Sequence, residues 1–282
     1  MYVTPREFRA APTGVDVSQL VPAGDAASNA AALVMQLQRA SAYADNFCQK
    51  VLAATVNTQA GFYPVRRHRT LGPALRIPLN FTPIVAVSGV SIGSTPASVA
   101  PLSDLSNIWI GPKTVTVPVA GTGPGSPFAA SSDKFATVQY VNGWANTALT
   151  AGAAPGATSI TVASALGIMP GQQLNIQNAT QAETVTVAAS WVPSNTAINV
   201  SVPITTPVVG TYAAADTVTA FPQDIKQAVI LIAKSFIKTR GSESITIASV
   251  TSQPDHVDRL EPGVTSDLGL AEDILSQYKR GI

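Results

Sequence analysis

The 282-residue chain contains one cysteine, Cys48, and two histidines, His68 and His256. A single thiol builds neither an internal disulfide framework nor a thiolate metal cluster. Cys48 lies inside a helical pattern and reads as a small buried hydrophobe. No His-Glu-x-x-His run and no nucleophile-elbow sequence accompanies the histidines, so zinc and serine hydrolase chemistry lack their motifs. Charge is also scarce, at 12% of residues, about half the usual share. With 17 basic against 16 acidic residues the net charge is +1. That leaves no overall basic excess of the kind that supplies phosphate affinity, so any nucleic-acid contact must be local. The longest apolar run, "AVILIA" at 228–233, stops at Lys234 and is far too short to span a bilayer. "MYVTPREFRA" has no basic region followed by an apolar one, so no secretory signal is evident. The expectation is a soluble protein made in a cytoplasm, with no membrane partner and no cofactor. Low charge beside 46% hydrophobic residues implies a folded chain whose surface is largely covered by other subunits.

What is present begins with helix signals. "TPRE" at 4–7 combines a capping Thr4, Pro5 at the first helical position and Glu7 where a capping-box carboxylate reaches back. A longer helix is predicted from about Asp25 to Val56, because Leu33, Leu37, Ala40, Ala44, Phe47 and Val51 recur at steps of three and four. Its many alanines favour close approach of a partner helix. From about Pro64 the period changes to alternation. "VRRHR", "ALRIPL", "PIVAVSGVSIG", "IWIG", "TVTVPV" and "FATVQYVNGW" are short β-rich runs set apart by Gly, Pro and Ser. They predict a small antiparallel sheet reaching about Trp144. "GTGPGSP" at 121–127 lacks the Lys-Ser/Thr of a phosphate loop, and Pro124 and Pro127 remove backbone donors, so a hairpin tip is expected.

Between Lys134 and Lys226 there is no lysine or arginine, and only Glu183, Asp216 and Asp224 carry charge. Alternation is clear at Ile160-Val162, Leu174-Ile176 and Val185-Val187. Residues 147–219 therefore read as an inserted β-sandwich or barrel-like domain. Its edges need closure or neighbours, because charged gatekeepers are nearly missing. Helix signals return at "FPQDIKQAVILIAKSFIKTRG", with Pro222 first, Asp224 in the first turn, Lys238 and Arg240 in the last, and Gly241 as a cap. Ile225, Val229, Ile232 and Phe236 form a stripe that fits the long N-terminal helix. A short strand, "ESITIASV", precedes a last helix from about Ser266 to Arg280, with Ala271, Ile274, Leu275 and Tyr278 on its apolar face. The fold class is α+β: a helical bundle, a small antiparallel β-part and the inserted module. The domains are 1–146 and 220–282 as a core, with 147–219 inserted.

Two groups carry candidate chemistry. Asp255, His256, Asp258 and Glu261 offer oxygen ligands to a cation, but their spacing fits no calcium loop and a solvated acidic loop is the simpler reading. The cluster Arg66, Arg67, His68 and Arg69 is the densest charge in the chain. On a strand, Arg67 and Arg69 point one way and Arg66 and His68 the other. Arg76 falls close by if "TLGP" makes a hairpin. The cluster is either an edge strand kept soluble by charge or a contact with a neighbour's acids or with passing DNA.

The order of the pieces resembles the head–tail connector proteins, also called adaptor or head-completion proteins, of tailed double-stranded-DNA bacteriophages. The alanine-rich helix with "ASAYADNFC" comes first, then "LRIPLNFTPIVAVSGVSIG", "VQYVNGW", "FPQDIKQAVILIAKSF" and a helix ending "LSQYKRGI". The carrying motifs are Pro83-Ile84-Val85-Ala86-Val87, the Gly-aromatic strand Tyr140–Trp144, and the Pro-x-Asp-hydrophobic helix start at Pro222–Ile225. In simpler relatives that strand runs almost straight into that helix, whereas residues 147–219 interrupt it here. The insertion itself resembles β-modules of phage structural proteins. The resemblance implies a non-catalytic ring, commonly of twelve subunits, beneath the portal. Such a ring extends the channel through which double-stranded DNA passes without sequence-specific binding, and it presents a platform to the next neck or tail protein. The protein is then expected in the neck of the virion, after synthesis in the host cytoplasm. By the same analogy Leu270, Ile274, Tyr278, Lys279 and Arg280 dock on the portal, and Arg66, Arg67, Arg69 and Arg76 face a neighbouring subunit or the channel. The alternatives are a tail-tube, tail-terminator or decoration protein and, from another class, a cell-envelope hydrolase or carbohydrate-binding module.

Overall fold

The computed structural model of the chain describes residues 1–68, 71–119, 133–193, 199–239 and 266–279. The fold is α+β, and its elements fall into two units. Helices from both ends of the chain make one (Met1–Leu52 with Phe221–Lys279), and the strands of Ala53–Ala220 make the other.

In the helical unit, α1 (Pro5–Ala10) starts on the expected capping box. The Glu7 carboxylate accepts from the Thr4 amide at 2.8 Å, while Thr4 Oγ1 accepts from the Glu7 amide at 3.2 Å. Helix α2 (Ala26–Cys48) is capped by Asp25, whose carboxylate accepts from the Ser28 amide at 2.7 Å. It ends eight residues before the expected Val56. Gln49 adopts a left-handed φ of 55°, and Lys50 N closes the turn on Asp45 O at 3.1 Å. Leu33, Leu37, Ala40, Ala44 and Cys48 make the buried stripe, whereas Val51, expected on it, lies beyond the helix and is exposed. Helix α3 (Gln223–Thr239) buries Ile225, Ala228, Val229, Ile232 and Ala233. Helix α4 (Asp267–Ser276), capped by Ser266, buries Ala271 and Leu275 and stops four residues before the expected Arg280. Helices α2, α3 and α4 pack against one another in all three pairs. Fully buried alanines on each let the backbones approach closely. Glu7 and Lys226 form a 2.6 Å ion pair with Lys226 only 4% exposed, which ties α1 to α3.

The strand unit opens earlier than expected, because β1 (Thr55–His68) takes the residues assigned to the end of a helix. With β2 (Gly72–Pro78), β3 (Ile84–Gly93), β4 (Ala100–Pro101), β5 (Trp109–Ile110), β6 (Thr114–Pro118) and β7 (Asp133–Asn142) it forms one sheet. Its order is β4-β3-β7-β1-β2-β6-β5, and every pair is antiparallel. Strand β1 changes partner midway: Thr55–Pro64 pairs with β7, and Val65–His68 with β2. Strand β3 also comes beside β5, although the two stand far apart in the sheet order. Leu75, Ile77, Val115 and Val117 then share one core with Val90, Ala136, Val138 and Tyr140. Tyr140 is fully buried, and its hydroxyl accepts from the Phe81 amide at 3.3 Å.

The remaining strands have a core of their own. Strands β8 (Asn146–Ala148), β9 (Ser159–Val162), β10 (Gln173–Gln177), β11 (Ala182–Thr186), β12 (Val200–Pro203) and β13 (Thr217–Thr219) form a four-stranded sheet, β11-β10-β13-β8, and a pair, β12-β9. Bridges Leu149↔Val162 and Val187↔Ile204 join the two at both sides, which closes a six-stranded barrel. Alternate residues, among them Ile160, Val162, Leu174, Ile176, Val185, Val202 and Val218, fill its interior. Closure removes the edges that a stretch so poor in charge could not guard. Asn146 pairs with Thr219, so the chain enters and leaves the barrel side by side. Gly167 fixes the barrel to the start of the strand unit. A Cβ there would lie 2.6 Å from Ala145 N and 2.7 Å from Ala54 Cβ, and its φ is +81°.

Candidate functional site

The hairpin β1–β2 sets the basic cluster. Arg66 stands opposite Ala74 and His68 opposite Gly72, where a φ of +70° suits glycine. Arg66 and Arg76 are both exposed. With Tyr63, Pro64, Pro78 and Thr114 they line an open cleft of about 380 Å³. Neither arginine is in an ion pair among the described residues. The hairpin thus brings Arg76 to Arg66, as alternation and the "TLGP" turn implied. The His68 ring stands 5.8 Å from that of Trp109, and its Nδ1 accepts from the Leu71 amide at 3.4 Å. The side chain of Arg67 and the whole of Arg69 lie outside the described residues. Strand β1 is interior in the sheet order, but over Val65–His68 only β2 flanks it among the described strands.

One further surface escaped the sequence reading. Along β1 the side chains of Val56, Thr58, Ala60, Phe62, Pro64 and Arg66 are all exposed, while the residues between them are half-buried or buried. Phe62 is 56% exposed and meets Phe135 of β7 edge-to-face, with ring centroids 5.1 Å apart. Thr137 and Gln139 stand opposite Ala60 and Thr58. From Val56 to Phe62 this strip carries no charge. The period-2 alternation of "TVNTQAGFYP" was the available signal. Extending the helix to Val56 and beginning the sheet at Pro64 hid it.

The C-terminal candidates are divided by their packing. Leu270 is 39% exposed, and Ile274 is half-buried. Tyr278 donates its hydroxyl to the Asp224 carboxylate at the start of α3. Burial, then that carboxylate, raises its pKa above the ordinary tyrosine value. Lys279 Nζ sits 4.0 Å from the Phe47 ring centroid, a cation–π contact. Arg280 lies outside the described residues. Helix α4 is held further by Lys234 and Lys238 on Asp267, at 2.9 and 3.3 Å, and by Tyr43 donating to Glu272. Under it, Cys48 Sγ donates to the Leu275 carbonyl at 3.7 Å, and burial pushes the thiol pKa up to about 11. Such a thiol is shut away and protonated, the opposite of a nucleophile. Asp45 is also shifted up, by burial, although Tyr2 Oη donates to it at 2.5 Å and Leu52 N at 2.9 Å.

Among the described residues no group of three His, Cys, Asp or Glu is placed to hold a metal ion. No helix among them is long and apolar enough to cross a membrane. The residues Asp255, His256, Asp258 and Glu261, the hairpin tip at 121–127, the strand "ESITIASV" and the Gly241 cap all fall outside the described residues.

No family model and no curated protein matches the chain. Solved structures that are similar include two parts of gene transfer agent particles. One is described as the neck of an empty gene transfer agent particle computed with C6 symmetry, at 14% identity over 100% of this chain and 95% of that chain, with a TM-score of 0.36. The other is described as the virion of a native gene transfer agent particle, at 13% identity over the same shares, also with a TM-score of 0.36. A likeness of that size carries no argument about what the chain does.

Proposed function

We propose that the chain is a non-catalytic virion protein of the neck, a ring subunit that sits under the portal, extends the DNA channel and receives the next tail-side protein. The observation that carries this reading is where the barrel is interposed. The Gly-aromatic strand ends at Trp144, β8 begins at Asn146, β13 ends at Thr219, and α3 follows at Gln223. Because β8 and β13 pair directly, excising the barrel joins that strand to that helix, which is the order of the simpler connectors. The helical unit built from both chain ends, with Leu270 exposed on α4, supports portal docking by the C-terminal helix. There Leu270 and Ile274 make the contact, and Tyr278 and Lys279 hold the helix in place.

The test mixes the purified protein with the portal of its own particle and measures mass and symmetry. A closed ring of this chain on the portal is expected, and a chain truncated after Gly263 should fail to join it. Normal portal binding by the truncated chain sinks the docking assignment. Co-assembly with a tail tube and no portal binding would instead favour a tail component, a reading to which the closed barrel lends itself equally.

A further inference from the structure

We infer that the exposed face of β1, with the Arg66–Arg76 cleft at its end, is the surface on which a second copy of this chain seats. The inference rests on the ring reading and names which part of the subunit makes the contact. An uncharged strip from Val56 to Phe62, ending on the Phe62–Phe135 pair, leads into two arginines without ion-pair partners among the described residues. An apolar, aromatic centre with arginine at its rim is the composition of a protein–protein interface. It does not suit DNA, whose phosphates are met by several basic groups together, since the exposed Phe62 ring offers a phosphate nothing.

Charge argues for a second copy. A chain with 17 basic and 16 acidic residues brings to its neighbour nearly as many carboxylates as it has cations to satisfy. Asp16, Asp104 and Asp273 are exposed and make no ion pair among the described residues; Asp16 and Asp104 accept only from Ser18 and Ser106, which leaves their charge for a partner's arginines. In a ring each contact joins two different patches, and an arginine-bearing face that needs an acid-bearing one on the next subunit fits that requirement.

The experiment compares the full chain with Arg66→Glu/Arg76→Glu and, separately, with Phe62→Lys. Self-association is followed by sedimentation over a concentration series at low and high salt, with portal binding measured in parallel. All three substituted side chains are exposed, so melting temperatures should stay near that of the wild type, and a variant that melts much lower is replaced by Arg66→Gln/Arg76→Gln or Phe62→Ser. Both variants should associate at least about tenfold more weakly, and the arginine variant should lose the salt dependence of the wild type. Association and portal rings unchanged in both variants would overturn this inference and leave the ring reading standing. A wild type that neither self-associates nor forms a ring on the portal overturns both. Salt-dependent binding of a short DNA duplex that disappears in the arginine variant overturns the second-copy assignment in favour of DNA.

Discussion

Truncating Leu275 to alanine should loosen α4 and open Cys48 to solvent without disturbing the strands. Leu275 is fully buried, and removing such a side chain costs about 2–5 kcal/mol. Helix α4 has only ten residues and buries two, so most of that loss falls on its docking rather than on the whole unit. Taking about 3 kcal/mol, the undocked population rises about 150-fold. Cys48 reports it directly, because it is the only thiol in the chain and lies under the Leu275 carbonyl. Docked, its pKa of about 11 against an ordinary 9.0 leaves about one thiolate in a thousand at pH 8; undocked, about one in ten is reactive. Because docked Cys48 is fully buried, labelling passes through the undocked form, so labelling with iodoacetamide at pH 8, followed by intact mass, should run about 150 times faster in Leu275→Ala than in the wild type. Trp109, Trp144 and Trp191 all lie in the strand unit, so unchanged tryptophan fluorescence separates local opening from global unfolding. Equal labelling of the two proteins, or wild-type labelling as fast as that of a free thiol, would refute the seat of α4 described above.

Four further outcomes are expected. The folded Cys48 thiol keeps its proton up to about pH 11 while the unfolded one loses it near 9.0, so the folded state holds more protons in that window. Stability should then fall as pH rises from 9 to 11, by at most about 2.7 kcal/mol. Urea titrations should show a smaller fall in Cys48→Ala, with no effect of this thiol below the window. Glu7→Gln leaves the Lys226 ammonium buried without its counter-ion and should cost about 3–5 kcal/mol. Adding Lys226→Met should recover much of that loss in a double-mutant cycle. Gly167→Ala meets both a left-handed backbone and atoms within 2.7 Å and should cost about 2–5 kcal/mol. Gly156→Ala, at φ +87° with nothing within 4 Å, should cost only about 1–2 kcal/mol in the same melts. Finally, excising 147–219 and joining Asn146 to Ala220 with a short linker, as the Asn146–Thr219 pairing allows, should leave a soluble chain with native-like circular dichroism of both helix and strand; failure to fold at all would make the barrel integral to the sheet.

The helices were legible because their signals are local. Thr4, Asp25 and Ser266 cap, Asp224 sits in a first turn, and the apolar stripes repeat at helical steps. The end of α2 was not, because "KVLAATV" continues an apolar pattern with no Gly or Pro to stop it. The stop is a left-handed Gln49, a conformation glutamine seldom takes, held where the chain turns toward strand pairing. The barrel announced itself through missing charge, but its closure rests on bridges between residues far apart in sequence, Val187 with Ile204 and Leu149 with Val162. On α4 the apolar face was readable, whereas the engagement of Tyr278 and Lys279 was not. Their partners, Asp224 and Phe47, belong to other helices.

The same misplaced boundary changes how the arginines are understood. Read from Pro64 onward, Arg66 and its neighbours are an isolated knot of charge, and only their alternation can be argued. With β1 starting at Thr55, Val56, Thr58, Ala60, Phe62, Pro64 and Arg66 belong to one exposed row, and the hairpin register adds Arg76 to its end. Charge at the tip of a strand needs no partner beyond water. Charge that ends a row of uncovered apolar side chains is different, because water serves the guanidinium groups well and the phenyl pair badly. A partner that covers Phe62 must also desolvate Arg66, so it has to bring a carboxylate or pay an unpaired-charge penalty. For this reason the apolar strip and the arginines should fail together when either is reversed.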